Sequence, residues 1–554
     1  MLQKKMFKFH TLGTLLSLLL LVFCLAYIKT SSIYGMSGDL AQNMQILYNL
    51  KHYLIPINDF LPSLVQFVTV DYVNAWPGKE ACTLGYDVFQ DTNKNHFYFH
   101  TYFLAYLFIP FVNIFGSVKF TLEFFNFLSF FGILYFSYLY LLKRKINLII
   151  IVPAIILIII NPIWSEGILG NFYFDRQYIL LGFLLILFTV KKDFNPFLFF
   201  LFLLISSSIA EKTIIYNILF LASYLFLFFF EIDNKKKMYI TIGIILQVIT
   251  MYIIFNFILI SNAGSDLHYG VIFSDIILII TKVFSNEVKI YQSLYLCLII
   301  LPLLIPGSIF AKRLTLITIL MILPNIFYTV GGAEKIQFDT HYHSLYFPFL
   351  VFTFLSGVVG FVEYLKQIKI NQSLIFYPYF FIALLFYASI SINIDNKINF
   401  KLNKINHLPF YEENNYRKPI VTEYYKYYEN RIKKGFLSDW HPYLGEYERL
   451  TNEIKNIIPK DSNILVNDQG MPYVIGYKNV NTYPYMYKNA DYLVASYIED
   501  LNGRKIPNIM TQNGNEHNIE VSTCIANRLE KEKNFNFDEP ILETPFIMIF
   551  GKNN

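Results

Sequence analysis

Charged residues are scarce in this chain, and their scarcity sets the first limits on its class. Asp, Glu, Lys and Arg make up 15% of the 554 residues, whereas soluble domains average about 25%. A water-soluble globular protein is therefore excluded. The net charge of +5 is also small, so we assign it to basic loops that face a cytoplasm and not to nucleic-acid binding.

Other features are missing as well. The chain has no internal repeat and no low-complexity linker, and its C-terminal part has no glycine-rich phosphate-binding loop. Lys4, Lys5 and Lys8 precede the apolar run Thr11–Ile28 as they would in a signal sequence, but no small-x-small cleavage site follows. We therefore expect this run to remain as the first helix, with its N-terminus in the cytoplasm.

Apolar sequence is what the chain has in abundance. Hydrophobic residues reach 55%, with 56 Phe and 43 Tyr. From Phe97 to Ile392 they form a series of blocks, each of about the 20 residues that a helix needs to cross the ~30 Å hydrocarbon core of a bilayer. Since backbone groups in lipid must pair within the protein, we predict transmembrane helices.

Basic clusters orient the predicted helices, because loops that carry them face the cytoplasm. The clusters are Lys143-Arg144-Lys145, Lys191-Lys192, Lys235-Lys236-Lys237, Lys312-Arg313 and Lys366 with Lys369. The resulting crossings lie near residues 11–29, 119–142, 147–162, 177–191, 195–210, 213–231, 239–261, 291–311, 314–331, 345–365 and 373–391. The odd total of eleven carries the C-terminal tail to the outer face.

Two further apolar stretches, 97–115 and 271–284, would reverse this orientation if they crossed. We interpret them as interfacial or re-entrant helices on the outer side, which leaves a range of eleven to thirteen crossings. A long first outer loop, residues 30–98, precedes them. Within it Gly38–Tyr53 carries apolar residues at three-to-four spacing, which predicts an amphipathic helix lying along the membrane.

After residue 392 the apolar blocks end, and residues 393–554 form a second predicted domain. Its pattern predicts helices at Thr451–Ile458 and Val521–Lys531, with strands at 463–467, 480–483, 491–496 and 546–550. The predicted fold is thus an all-α polytopic membrane bundle, residues 1–392, with a small α/β domain outside the cytoplasm.

Two details of this tail stay open. Asp468-Gln469-Gly470 follows the first predicted strand, where either a plain turn or a ligand at the strand's carboxyl end would fit. Cys82 and Cys524 fall on the same predicted side and can form a disulfide, although spacing alone specifies no pairing. Cys24 and Cys297 lie in apolar blocks.

Ionisable residues at membrane depth are costly, and four groups of them need a reason. On our topology all four lie at the outer face, near the headgroups, and can converge in one cleft. The groups are Asp39 with Gln42 and Asn43, His96 with His100, Asp175-Arg176-Gln177 with Glu211-Lys212, and His341-Tyr342-His343.

Such a cleft suits a polyprenyl-phosphate sugar whose lipid tail lies between helices. Asp39 is the candidate general base that takes the proton of the acceptor hydroxyl. The candidates for binding the phosphate are Arg176, Lys212, His341 and His343. The other residues assigned to the substrate site are Gln42, His96, Asp175, Glu211 and Tyr342. No metal ligands are predicted, and a divalent cation stays open as a cofactor.

Each group also has a purely structural interpretation. Asp39 stands in the first turn of its predicted helix, where a carboxylate acts as a cap. Histidines near the headgroups are often interfacial residues. The charges of Asp175-Arg176 and Glu211-Lys212 can form ion pairs that neutralise helix ends, either within each motif or crosswise between them.

Several short stretches, taken in order, carry a family resemblance. They are Ser37-Gly38-Asp39-Leu40, His96-Phe97, Phe172–Gln177, Ser208–Thr213, His341-Tyr342-His343 and Ile458–Ile464. Together they resemble an uncharacterised family of bacterial membrane proteins, the domain of unknown function 2079, which is itself similar to GT-C-type integral-membrane glycosyltransferases. The resemblance implies a lipid-phosphate sugar donor, an inverting transfer and a catalytic acid in the first outer loop, here Asp39.

The sequence departs from that family's pattern at two charged motifs. Phe174-Asp175-Arg176 stands where Phe-His-Pro is expected, and Ala210-Glu211-Lys212 stands where Lys-Glu-Asp is expected. The kinds of charge at both places are rearranged. A phosphate-binding role therefore does not carry over from the family to these positions directly.

The leading hypothesis is a glycosyltransferase at the outer face of a bacterial cytoplasmic membrane, with an envelope glycan, lipid or protein as acceptor. A transporter or flippase of a lipid-linked or small solute is the runner-up, and a non-catalytic membrane scaffold is the third alternative. Transporters place charges and broken helices near the bilayer midplane. The depth of Glu211 therefore discriminates between enzyme and transporter.

Overall fold

The computed structural model describes the backbone of most of the chain. The described residues are 2–31, 38–58, 60, 95, 97, 100–170, 172–259, 287–327, 341–372, 375–387, 445–467, 469–482, 490–500, 502–508, 516–533, 535–544 and 547–552. The apolar stretch 271–284 and most of the first outer loop lie outside them.

The described membrane part is a helical bundle. Its helices are α1 (Leu2–Ser31), α2 (Gly38–Tyr53), α3 (Leu104–Phe115), α4 (Val118–Lys143), α5 (Leu148–Ile160), α6 (Pro162–Leu169), α7 (Tyr178–Val190), α8 (Pro196–Ser207), α9 (Glu211–Leu227), α10 (Asn234–Ile253), α11 (Glu287–Phe310), α12 (Lys312–Phe327), α13 (Phe347–Gln367) and α14 (Ile375–Tyr387). Two 3-10 turns, Phe174–Gln177 and His341–Ser344, precede α7 and α13.

Local sequence explains where several helices begin. The side chains of Ser117, Asn147 and Asp233 accept hydrogen bonds from backbone N–H groups in the first turns of α4, α5 and α10. Between α3 and α4, Gly116 adopts a φ of 71°, the left-handed conformation that commonly ends a helix. The chain therefore reverses at Gly116–Ser117 with its end groups satisfied.

Helices overlap all the predicted crossings. Helix α2, predicted as an amphipathic helix outside those crossings, has the predicted bounds Gly38–Tyr53. Among the described residues, four helical stretches are long and apolar enough to span a membrane by length and composition alone: Thr11–Ser31, Val118–Lys143, Asn234–Ile258 and Tyr342–Gln367. The membrane bundle is thus confirmed, and the total of eleven crossings stays a prediction. The stretch 97–115 contains the short helix α3.

Some of the predicted cytoplasmic clusters make contacts at the same end of the bundle. Lys236 Nζ donates to the backbone carbonyl of Lys191 at 3.2 Å. Arg313, at the start of α12, pairs with Glu231 after the end of α9. At the other end of α7 and α9 stand Asp175-Arg176 and Glu211-Lys212. These basic residues and the Asp175-Arg176 and Glu211-Lys212 pairs thus lie at opposite ends of α7 and α9, while the topology stays a prediction.

Helices α11 and α13 pack closely through small residues. A Cβ added to Gly357 of α13 would collide with backbone atoms of Pro306 and Gly307 in α11, and one added to Gly360 would lie 2.8 Å from Phe310 Cβ. Close approach of backbones at glycine is a common way for helices to pack in lipid. This pair holds α13 in the centre of the bundle.

The C-terminal domain is the predicted α/β fold. Its helices are α15 (Glu446–Ile457) and α16 (Glu516–Lys533), and its strands are β1 (Asn463–Val466), β2 (Asn479–Thr482), β3 (Tyr492–Ala495), β4 (Tyr497–Glu499), β5 (Lys505–Pro507), β6 (Leu542–Glu543) and β7 (Met548–Gly551). The five-stranded sheet has the order β2-β1-β3-β7-β6. Strand β1 is parallel to β2 and β3, and β7 is antiparallel to β3 and β6. The hairpin β4–β5 is a feature that the sequence pattern did not predict.

Asn467 accounts for the turn after β1. Its Nδ2 donates to Ser496 Oγ at 2.6 Å and to the Asn508 carbonyl at 3.0 Å, while its Oδ1 accepts from Gly470 N at 3.0 Å. One amide thus ties the turn to β3 and to the end of β5. This bonding favours a plain turn at Gly470, while Asp468 lies outside the described residues.

The tail domain packs on the membrane domain. Gly445 N donates to the Ser31 carbonyl at 3.0 Å, and Gly476 N donates to Gln45 Oε1 at 3.2 Å. Ala41 of α2 shares an apolar core with Leu450 and other residues of the tail. The domain therefore lies over the end of α1 and along α2.

One cysteine of the tail is bridged. Cys524 is disulfide-bonded, whereas Cys24 and Cys297 are free. Cys82, the remaining cysteine of the chain, lies outside the described residues.

Candidate functional site

Glu211 is the first residue of α9 and the centre of a buried hydrogen-bond cluster. Its carboxylate contacts His100 Nδ1 at 2.9 Å and accepts from the Thr101 N–H at 3.1 Å and the Thr101 hydroxyl at 3.2 Å. A carboxylate only accepts, so Nδ1 of His100 carries the hydrogen in this contact. The ring of His100 stacks on Tyr102.

Asp175 and Lys212 meet beside this cluster. The Asp175 carboxylate lies 3.6 Å from Lys212 Nζ, and the Lys212 ammonium lies 4.4 Å from the centroid of the Tyr342 ring. This is the crosswise pair that the sequence left open. Burial raises the pKa of the Asp175 carboxyl, while the nearby Lys212 charge opposes that shift and the Glu211 charge adds to it.

Arg176 links this group to a second one. Its guanidinium is buried, lies 5.2 Å from the centre of the Tyr173 ring and is close enough to Lys29 for the two charges to interact. Lys29 Nζ lies 2.9 Å from Glu123 Oε2 and donates to the Gly170 carbonyl at 2.7 Å. The end of α1, the first turns of α4 and the 3-10 turn before α7 therefore share one charged region.

Lys119 completes the second group. It stands one helical turn before Glu123 on α4, and its Nζ donates to the Thr30 carbonyl at 2.7 Å. The ring centroid of Tyr447, in the tail domain, lies 4.0 Å from the same nitrogen. The tail thus covers one side of the charged region.

A neutral network fixes the helices that carry these charges. The Tyr178 hydroxyl donates to Asn217 Oδ1 at 2.8 Å, and Asn217 Nδ2 donates to Ser206 Oγ and Ser207 Oγ at 3.0 and 3.1 Å. Tyr178 follows the Phe174–Gln177 turn, and Asn217 lies in α9 beyond Lys212. The network therefore sets the distance between the two elements that bring Asp175 and Lys212 together.

Helix α2 approaches the site along its Asn43 face. Asn43 Nδ2 donates to the Phe172 carbonyl at 3.2 Å, three residues before Asp175. Asp39 lies one turn earlier in the same helix, on the face that Asn43 shares. The backbone thus brings the candidate base toward the 3-10 turn, while the side chain of Asp39 lies outside the described residues.

The remaining predicted residues divide into three cases. His96 and the side chain of His341 lie outside the described residues. Gln42 Oε1 accepts from Asn58 Nδ2 at 3.4 Å, within the first outer loop. The buried His343 contacts the Tyr346 hydroxyl through Nδ1 at 2.9 Å, in the 3-10 turn that packs against the Phe174–Gln177 turn.

Sequence reasoning missed Lys29, Lys119 and Glu123. A signal was present, because Lys119 and Glu123 are ionisable residues four apart inside a predicted crossing. The prediction considered charged residues in loops and at the ends of apolar blocks. It therefore missed charged residues that lie within a block.

Metal ligands do not gather in the described part of the chain. No group of three or more His, Cys, Asp or Glu side chains there is arranged to hold a metal ion.

Comparison with known proteins gives a fold and no closer relationship. No family model matches the chain, and no curated protein matches it. The resemblance to the domain of unknown function 2079 therefore stays a prediction.

Among solved structures, the chain is similar to ArnT from Cupriavidus metallidurans. In the apo state the TM-score is 0.50 at 11% identity, covering 97% of this chain and 98% of that one. The same protein bound to undecaprenyl phosphate gives a TM-score of 0.49 at 10% identity, with the same coverage. ArnT is a GT-C glycosyltransferase. The predicted similarity to GT-C enzymes is therefore confirmed as a similarity of fold.

Proposed function

We propose that this chain is a membrane glycosyltransferase that transfers a sugar from a polyprenyl-phosphate donor to an envelope acceptor, at the outer face of a bacterial cytoplasmic membrane. Its N-terminus lies in the cytoplasm and its tail domain outside. ArnT, whose apo structure shares this fold, also has a structure with undecaprenyl phosphate bound. The acceptor is a glycan, lipid or protein of the envelope.

The convergence of charges carries the proposal. His100 contacts Glu211, 111 residues further along the chain, at 2.9 Å. Asp175 contacts Lys212 at 3.6 Å, so separate segments meet at one end of an apolar bundle. Burying charges costs several kcal/mol each unless they are paired. An assembly of this kind is expected where a bundle must bind a charged lipid headgroup.

The roles follow from the chemistry of an inverting transfer. The acceptor hydroxyl attacks the anomeric carbon as the bond from that carbon to the phosphate oxygen breaks, and the phosphate keeps the electron pair. Asp39 takes the hydroxyl proton. Arg176 and Lys212 stabilise the phosphate, with Lys29 and Lys119 as further cations that the sequence did not indicate. Lipid chains occupy the apolar surface beside the site.

The position of Glu211 favours an enzyme over a transporter. It is the first residue of α9, at the end of the helix and not within it. A negative charge is stabilised at a helix N-terminus, which accounts for its location. Transporters instead gather their charges where helices break near the midplane.

Asp39→Asn tests the proposal. The change keeps the size of the side chain but removes its basicity, so we expect transfer from synthetic polyprenyl-phosphate hexoses to fall by at least about 100-fold, as for loss of a general base. The assay is release of polyprenyl phosphate by the purified protein in an acceptor-containing membrane extract.

Asp91→Asn, in the same outer loop, is the matched control and should retain transfer. Membrane abundance of both variants should equal that of the wild type. Full activity of Asp39→Asn would rule out the base assignment, and no release by the wild type from any donor would rule out the enzyme.

A further inference from the structure

Three neighbouring polar side chains in the bundle have hydrogen-bonding atoms that no other described residue satisfies. Among the described residues, neither the Nδ2 nor the Oδ1 of Asn126 has a hydrogen-bond partner, and the same holds for Nε2 of Gln177 and Oε1 of Glu123. The other carboxylate oxygen of Glu123 pairs with Lys29. All three side chains are buried, and Asn126 and Glu123 are 0% exposed. We call them the Asn126 pocket.

The three residues belong to one place in the fold. Glu123 and Asn126 are three residues apart on α4 and share a face, and Ser129 follows at the same spacing. Ser129 Oγ donates to Gln177 Oε1 at 2.7 Å, which brings the 3-10 turn against that face. The pocket therefore lies next to Arg176, on the bundle side of the charged region.

Buried polar atoms without hydrogen-bond partners destabilise a membrane protein. A buried donor or acceptor without a partner loses about 1–3 kcal/mol relative to one that is bonded. Natural structures contain few of them, and each calls for an explanation in function or in a bound water. Here donors and acceptors occur together, which matches a ligand that both donates and accepts hydrogen bonds.

We propose that the Asn126 pocket binds hydroxyl groups of the sugar that is transferred. This inference rests on the proposed function and adds the residues that recognise the donor's sugar. A hydroxyl donates to the Glu123 carboxylate or Asn126 Oδ1 and accepts from Asn126 Nδ2 or Gln177 Nε2. The adjacent Arg176 holds the phosphate to which the sugar is attached, so headgroup and sugar occupy neighbouring parts of one site.

Asn126→Leu and Asn126→Ala test the inference. Leucine keeps the branching of asparagine without its polar atoms, and alanine removes them without adding volume. The probes are geranyl phosphate alone and geranyl phosphate esterified in turn to glucose, mannose and galactose. Equilibrium binding to the purified full chain and its melting temperature are both measured.

We expect the variants to bind geranyl phosphate as the wild type does. Binding of the preferred hexose ester should weaken about tenfold, which corresponds to one hydrogen bond. Melting temperature should stay level or rise, since an unsatisfied amide has been removed. If Asn126 only stabilised the fold, the melting temperature of both variants would fall and their binding of the hexose ester would not weaken selectively.

Ser137→Ala is the matched control. Ser137 lies on the same helix, about three turns beyond Asn126, and no described residue pairs with its buried hydroxyl. It should leave binding of every probe unchanged.

Other results of the binding experiment would overturn the inference. Unweakened binding of the hexose ester to both Asn126 variants means that the pocket holds only water, and overturns the inference. A wild type that binds no hexose ester better than geranyl phosphate also overturns it. If the wild type does not bind geranyl phosphate at all, the proposed function fails and the inference fails with it.

Discussion

At the residue scale, the site is a chain of partly compensated charges. Glu211 holds His100, Asp175 holds Lys212, and Glu123 lies between Lys29 and Lys119. Each carboxylate lies beside at least one cation or cation-forming ring. A phosphate that enters such a region meets cations already fixed in place, so little reorganisation is needed on binding.

Lys29→Met tests how much the Lys29–Glu123 pair matters. The change leaves a buried carboxylate without its nearest cation, and breaking a buried pair costs about 3–5 kcal/mol. Because Lys119 remains one turn away, we expect a loss of roughly 3 kcal/mol in the free energy of unfolding. Titration with dodecyl sulfate, followed by circular dichroism, measures it.

The double variant Lys29→Met with Glu123→Gln should recover most of that loss, because no uncompensated charge is left. Lys143→Met, at the exposed end of the helix α4 that carries Glu123, should change the free energy of unfolding by less than about 0.5 kcal/mol. Equal stability of Lys29→Met and wild type would show that water reaches Glu123.

Sequence reasoning indicated part of this charged region. It named Asp175, Arg176, Glu211 and Lys212 because charges next to apolar blocks stand out in any hydropathy pattern. It offered the crosswise pair only as one option, since pairing depends on how α7 and α9 are packed. Asn126 carries no charge and gives no signal until its burial and missing partners are known.

At the scale of the element, helix type and bounds were largely predictable. The apolar blocks and the strands of the tail are local patterns, and the capping residues at Ser117 and Asp233 are local too. The packing of α11 against α13 was not predictable, because Gly307 and Gly357 lie in different blocks and nothing in either block identifies the partner.

Gly357→Ala should destabilise the bundle. The added methyl group would overlap the backbone of Pro306 and Gly307, and backbone cannot move aside as a side chain can. Overpacking of this kind costs about 1–3 kcal/mol, so the melting temperature in detergent should fall.

Gly13→Ala in α1 is the comparison, because nothing lies within 4 Å of its added Cβ. It should be neutral or raise stability by up to about 1 kcal/mol through helix propensity. Similar melting temperatures for the two variants would mean that α11 and α13 can separate at little cost.

At the scale of the whole molecule, the tail domain and the bundle form one body around the site. Contacts from Gly445, Tyr447 and Gly476 reach α1, α4 and α2 respectively. Sequence analysis predicted both domains but not their contact, since the segment joining them offers no pattern that specifies a docking surface.

A disulfide between Cys82 and Cys524 is expected to tie the first outer loop to the tail. Cys524 is bridged and two of the four cysteines are free, so Cys82 is the one that remains. Mass spectrometry of a non-reduced digest should find the two peptides linked. Since disulfides persist in oxidising compartments, the bridge also agrees with a tail outside the cytoplasm.

Cys82→Ser should leave Cys524 open to alkylation, whereas Cys297→Ser should not. Alkylation of Cys524 in the untreated wild type would contradict the bridge and remove this support for the orientation of the tail.

The first outer loop and the tail domain share an apolar core, which affects work on the tail alone. The core includes Ala41 and Phe60 of the loop and Leu450, Ile454 and Val474 of the tail. If residues 445–552 were produced as a separate fragment, the apolar surface that the first outer loop covers would be exposed to water. Such a fragment should aggregate or need detergent to stay in solution. Antibodies raised against it would recognise a face that the intact protein hides.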